Sequence, residues 1–299
     1  ELTDLEGNAI VDTSTTFTYV TATPGDVVIN EIFFDTNPPV GLPEYDYLEL
    51  YNNSGFDINL ENWTLTISDD ERIFPNVNLP ANGYLIVTSS SAVIEYENYG
   101  QTIGLITTTM LTNTGTSIVL KDTLDQTIHS IEYTQDWYHD NDKIDGGWSI
   151  EQIDPNAICA MENNWRASMA EIGGTPGSIN SVDAENPDNT APAVTDISIT
   201  TTKSITILFS ENVPVTNINS QHIQISSDLG VLLYEQNPDD KKSWTISTSN
   251  EIPERTQISI SFTNISDFCG NTMADTTVDI YRVAPAFQQI VFNEIMAHP

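Results

Sequence analysis

Basic residues are scarce in this 299-residue chain: nine Lys and Arg stand against 43 Asp and Glu, for a net charge of −34 at pH 7. The acid is spread along the whole length, so the surface repels nucleic acid phosphates and anionic membrane surfaces, and neither is expected as a partner. No apolar run is long enough to span a bilayer, and no basic and then hydrophobic leader opens the sequence. Histidine is limited to His129, His139, His222 and His298, none beside a nucleophile-elbow sequence, so Ser/His/acid hydrolysis is not expected. So much acid with so little lysine suits a salty medium, divalent cations, or both, because self-repulsion must be screened to keep a compact state.

What the chain does have is strand material. Hydrophobic residues make up 39% of it, enough for two ordinary domains each to bury a core. Thr, Ser, Ile, Val, Asn and Asp dominate, and apolar residues alternate with polar ones in short runs, as half-buried strands require. The fold class is therefore all-β.

The sequence also repeats itself. DLEGNAIVDTSTTFTYV from Asp4 matches DFCGNTMADTTVDIYRV from Asp267, and VVINEI from Val27 matches IVFNEI from Ile290, all at one offset of 263. Ten identities fall in the 36 overlapping positions without a gap, which argues for duplicated modules rather than similar composition. The run from Gly173 to Pro192, GGTPGSINSVDAENPDNTAP, has the composition of a linker. Two Ig-like β-sandwich modules in tandem are expected, with partial copies at both ends. Residues 1–22 close a preceding Ig-like module, 23–182 form the first sandwich, 183–192 the linker, 193–285 the second sandwich, and 286–299 open a further copy of the first. Because residues 1–22 carry Ile10, Phe17 and Tyr19 without their own sandwich, they are expected to pair with a neighbouring module or chain. Seven strands are read in each sandwich, from VVINEIFF to GWSIEQI and from AVTDISITTT to TTVDIYRV.

The words VVINEIFFD, EYDYLELYNNSGFDINLENWTL, LPANGYLIV, GGWSIEQIDP, NNWRAS and GGTPGSINS stand in the order found in bacterial lamin-tail domains, which the first module resembles over about 155 residues. The second module resembles bacterial Ig-like domains of surface-layer and adhesin proteins through TAPAVTDISIT, SITILFSENV and ISDFCGNTMAD. The resemblance implies a large secreted or cell-surface bacterial protein with no catalytic residues in these modules. Its role would be that of a non-enzymatic stalk, filament or adhesion segment, with neighbouring modules, like chains, or a protein or carbohydrate ligand as partners. The alternative is an accessory substrate-binding region of a secreted multidomain hydrolase.

Asn30 and Glu31, repeated as Asn293 and Glu294, look like a catalytic amide and acid but are expected to be structural, as is Glu49. Gly173, Gly174 and Gly177 lack the lysine and helix of a phosphate loop and are read as a tight exit turn, with Pro176 fixing its direction. Trp137 and Tyr138, inside the polar run DWYHDND, are the candidates for an exposed aromatic, sugar-stacking contact. Cys159 and Cys269 are the candidate disulfide, although the N-terminal copy carries Glu6 where the second has Cys269. The candidate calcium site is the loop DWYHDNDKIDGG, whose Asp136, Asp140, Asp142 and Asp145 offer oxygen ligands ahead of Gly146 and Gly147. An EF-hand is excluded there, because Ile144 and Asp145 stand where that loop needs a ligand and a glycine. A second candidate joins Asp183, Glu185 and Asp188 of the linker to Asp267.

Overall fold

The computed structural model describes residues 5, 6, 8, 9, 21–238 and 240–283. The partial copies expected at the two ends, and the strand pairing expected of residues 1–22, fall almost wholly outside these residues. The chain divides into two compact units, Glu1–Pro187 and Asp188–Pro299, and the division falls inside the acidic, Pro- and Asn-rich segment. Both units are built of sheets that are antiparallel throughout, except for one parallel pair at an edge of the first unit.

The first unit runs β1 (Val27–Phe33), β2 (Tyr47–Asn52), β3 (Ile58–Asn59), β4 (Thr64–Ile67), β5 (Asp70–Ile73), β6 (Asn78–Leu79) and β7 (Tyr84–Ser89). A single helical turn, α1 (Val93–Tyr96), follows, and then β8 (Thr102–Ile106), β9 (Gly115–Lys121), β10 (Thr127–Thr134), β11 (Ile150–Gln152) and β12 (Trp165–Ala167). A six-stranded sheet in the order β12-β11-β1-β2-β7-β8 faces a four-stranded sheet in the order β10-β9-β4-β5, and β3 pairs separately with β6. The inward residues of both sheets, among them Ile29, Leu50, Leu65, Val87, Leu120 and Trp165, close into one buried core.

The six-stranded sheet is buried on its outer face as well, so every residue of β1 is inaccessible. Outward-facing Phe33, Tyr47 and Ile86 pack with Leu42, Ala92 and Tyr96 into a second, smaller core under the loops. A bulge in β1 between Ile29 and Glu31 reverses the facing of the strand: Ile29 enters the main core, while Asn30 and Glu31 join the outer face.

The second unit runs β13 (Val194–Thr201), β14 (Ser204–Phe209), β15 (Ile223–Ile225), β16 (Leu232–Asn237), β17 (Asp240–Thr248), β18 (Gln257–Phe262) and β19 (Thr276–Tyr281). Its two sheets are β13-β14-β17-β16 and β15-β18-β19. Alternate residues Ile205, Ile207 and Phe209 of β14 meet Ile258, Ile260 and Phe262 of β18 in the core, with Phe209 edge-on to Phe262 at 6.2 Å between ring centres. The burial period of two is legible directly in strands such as β14, β17 and β18, while two register shifts interrupt it in β13.

Candidate functional site

The densest polar arrangement lies on the outer face of the six-stranded sheet. Antiparallel register places Glu31 of β1 opposite Glu49 of β2 on one side and Glu151 of β11 on the other, so three carboxyl groups stand side by side, all fully buried. The segment leaving the unit, residues 173–182, crosses over them. Glu31 Oε1 accepts from the Ser149 hydroxyl at 2.6 Å and from the Thr175 amide at 2.8 Å. The Gly177 amide donates to Glu49 Oε2. Glu151 accepts from the Thr175 hydroxyl at 2.9 Å, the Ser181 hydroxyl at 2.6 Å and the Val182 amide at 3.2 Å. Asn30 and Asn180 complete the fastening: the Asn30 amide donates to Glu49 Oε1 at 3.0 Å and to Asn180 Oδ1 at 2.8 Å, and Asn180 donates to the Gln152 carbonyl at 2.7 Å.

Glycine permits this contact. A Cβ on Gly174 would stand 2.6 Å from Glu31 Oε1, and one on Gly177, whose φ is +76°, 2.2 Å from the Tyr99 carbonyl oxygen. Burial first, and then repulsion by Glu151, push Glu31 up to about 8. Burial and the neighbouring Glu31 push Glu49 well above the usual carboxylate range. The sequence words NEI, YLELYN and GGTPGSINS thus meet at one place, with Asn30, Glu31 and Glu49 as packing and fastening groups.

The expected calcium loop is arranged differently. Asp136, Asp142 and Asp145 are exposed, Asp140 Oδ1 accepts from the Asp142 amide at 3.0 Å, and the four aspartates do not converge on one point. A lysine occupies the loop instead: the Lys143 ammonium donates to the Ser168 carbonyl at 2.6 Å, lies 3.8 Å from Asp140 Oδ2, and sits 4.5 Å above the centre of the Trp148 ring. Gly146 and Gly147 serve backbone packing, since a Cβ on either would come within 2.2 Å of the Asn37 or Pro38 carbonyl oxygen.

The aromatic expectation is corrected. Trp137 and Tyr138 are 5% and 1% exposed and cannot stack on a sugar. Trp137 packs on Trp165 at 5.6 Å between ring centres, and the Tyr138 hydroxyl donates to the Trp148 carbonyl at 2.8 Å. The polar run around them belongs to the turn, while the two rings point into the core.

Among the described residues, one group of three acidic side chains does converge: Asp188, Glu211 and Asp267, with ligand oxygens all within 4.8 Å of one another. All three belong to the second unit. Asp188 begins it, Glu211 follows β14, and buried Asp267 opens the DFCGN turn. That turn is self-bonded: the Asn271 amide nitrogen donates to Asp267 Oδ1 at 2.8 Å, and the Asn271 side chain donates to Asp267 Oδ2 at 2.8 Å and to the Asp188 carbonyl at 3.0 Å. Burial, Asp188 and Asp267 together push Glu211 up to about 7, with Lys242 opposing. Hard oxygen donors of this kind fit calcium rather than zinc. Asp188 and Asp267 of the second sequence candidate are thus brought together, Asp183 and Glu185 are not in the group, and Glu211 was missed, although it stands two residues after the strand SITILF.

Neither Cys159 nor Cys269 is a free thiol. No helix of the described residues is long and apolar enough to cross a membrane. No curated protein matches the chain. Residues 20–135, from the segment before β1 to the end of β10, match the family model of the lamin tail domain, an Ig-like module, in agreement with the sandwich that they form here.

Proposed function

We propose that the chain is a non-enzymatic repeat segment of a large secreted or cell-surface bacterial protein, and that its sandwiches act as a stalk, filament or adhesion element. The observation that carries this reading is the fate of the catalytic-looking groups. Asn30, Glu31 and Glu49 are at most 4% exposed, and their hydrogen bonds go to the exit segment of their own unit, where no substrate reaches them. The 263-residue repeat supports the spacing role, because similar modules in series set length. The test is on cells that produce the protein. Antibody raised against this segment should label intact cells, and deletion of the segment's repeats should reduce attachment without loss of a hydrolytic activity. Labelling only after lysis, or turnover of a polysaccharide or peptide substrate by the purified segment, overturns the reading.

Calcium is the cofactor proposed with it, held by Asp188, Glu211 and Asp267 at the entry to the second unit. In melts at constant, high ionic strength, millimolar calcium should raise the second unit's transition relative to chelator. Asp267→Asn should abolish the rise, while Asp140→Ala with Asp142→Ala should leave it intact. The reverse pattern would move the ion to the Asp136–Asp145 loop. Cys159 and Cys269 are proposed to pair with each other; such a bridge would constrain the unfolded chain by on the order of 4–5 kcal/mol. Unchanged electrophoretic mobility on reduction would count against it.

A further inference from the structure

Three carboxyl groups in a row, all sealed from water, cannot all carry charge without a counter-ion. Among the described residues none of the groups acting on Glu31 or Glu49 is basic. Glu31 faces Glu151 and Glu49 across the strands, Tyr47 on β2, and Tyr96 from α1. Glu49 also faces Tyr84 on β7, which lies against Asp183 beyond the exit segment. Burial raises all three tyrosines above their usual range, so they stay neutral and supply no positive charge; Tyr47 favours the ionised Glu31, but by less than burial and Glu151 oppose it. The oxygens of Glu31 are unequal: Oε1 accepts two hydrogen bonds, while Oε2 is buried with none, which makes Oε2 the position for a proton.

The geometry points to a proton-operated clasp: with Glu31 and Glu49 protonated the exit segment 173–182 is held on the sheet, and with both ionised it is released. The segment is the right object for such control, because every bond that fastens it to the glutamates would break together and return the carboxyl groups to water. Released, they regain ordinary acidity, so docking takes up protons. For an acid whose docked value lies above its free value, stability of the docked state is full below the free value and is lost as pH rises through the docked one. With Glu31 moving from 4.5 to about 8, that loss spans mildly acidic to mildly alkaline pH.

The experiment is hydrogen exchange on the whole chain at pH 6, 7, 8 and 9, corrected for intrinsic exchange and read on peptides covering residues 173–182. Protection there should fall by at least about tenfold between pH 6 and pH 9, while peptides from β9 and β10 keep theirs. Glu31→Gln, which retains an acceptor for Ser149 and Thr175 but cannot ionise, should flatten the dependence, and Glu49→Gln should reduce it. Equal protection of residues 173–182 across the range in the unmodified chain overturns the clasp, and so does a loss that appears equally in β9 and β10. Because the unmodified chain decides the matter, poor folding of a variant leaves the test intact.

Discussion

At the scale of single residues, the first unit depends on places where no side chain fits. Gly177 combines a φ of +76° with a backbone oxygen 2.2 Å from where its Cβ would lie, whereas Gly55 has nothing within 4 Å. Gly177→Ala must therefore both strain the backbone and push Tyr99 away, and should cost about 3 kcal/mol or more. Gly55→Ala should stay within about 0.5 kcal/mol. Urea midpoints of the first unit's transition would show the contrast. Lys143 is the opposite case, a residue whose side chain fills its place: its ammonium, held between the Ser168 carbonyl and the Trp148 ring, supplies inside an acidic loop the positive charge that a metal would bring. Lys143→Met keeps the apolar stem and removes that charge, so a loss of about 1–2 kcal/mol is expected in the same measurement.

At the scale of elements, hydrogen bonding couples the two sheets of the first unit through one side chain. His129 on β10 reaches across so that its Nδ1 accepts the Ile29 amide of β1 at 2.9 Å, a donor left over where the bulge interrupts the ladder. Accepting requires the neutral ring, and burial lowers His129 from 6.5 to about 4. Since the unfolded chain takes up the proton first, this contribution is present above 6.5 and is lost as pH falls toward 4. It amounts to about 3 kcal/mol at most. His129→Gln retains an acceptor without titrating, and should remove about one proton's worth of slope from unit-one stability measured between pH 7 and pH 4. An unchanged slope would show that His129 does not report this contact.

The same elements show what could be read beforehand. All seven strands of the second unit follow from alternation, because each has one face in the core and one toward solvent. In the first unit β9 and β10 were legible from alternation, β1, β2, β7 and β11 as short apolar runs of a sheet buried on both faces, and the single strand read as INLENWTLTI is divided into β3 and β4. By contrast β8, which pairs in parallel with β7, carries the short run TIGLI without a clean period. β5, reading DERI, is an edge strand with an exposed surface and gives no apolar signal. The bulge that turns Glu31 away from Ile29 leaves no mark in the sequence, and neither does the cover that makes an outer sheet face into an inner one. The glutamate cluster was therefore visible as separate words and not as one site. The three acids of the second unit come together through turns, and only Asp188 and Asp267 were anticipated.

At the scale of the whole molecule, charge decides behaviour that no single contact explains. Nine basic residues cannot pair with 43 acids, and the ion pairs that form at the surface, such as Lys121 with Asp125 at 2.8 Å, contribute little. Most of the negative charge therefore acts as self-repulsion, which the folded state feels more than the expanded one because its charges are closer together. Simple salt should then stabilise both units. Between 10 mM and 0.5 M sodium chloride the screening length shrinks from about 30 Å to a few ångströms, so the melting temperatures should climb steeply at first and level off once neighbouring carboxylates are screened. The shape of the curve separates this general effect from a bound ion. Screening depends on ionic strength alone, and sodium chloride and tetramethylammonium chloride should give superimposable curves up to the plateau. A site at Asp188, Glu211 and Asp267 answers to calcium on top of that plateau, where further screening does nothing. Melting temperatures independent of sodium chloride would mean that the repulsion is already neutralised within the fold.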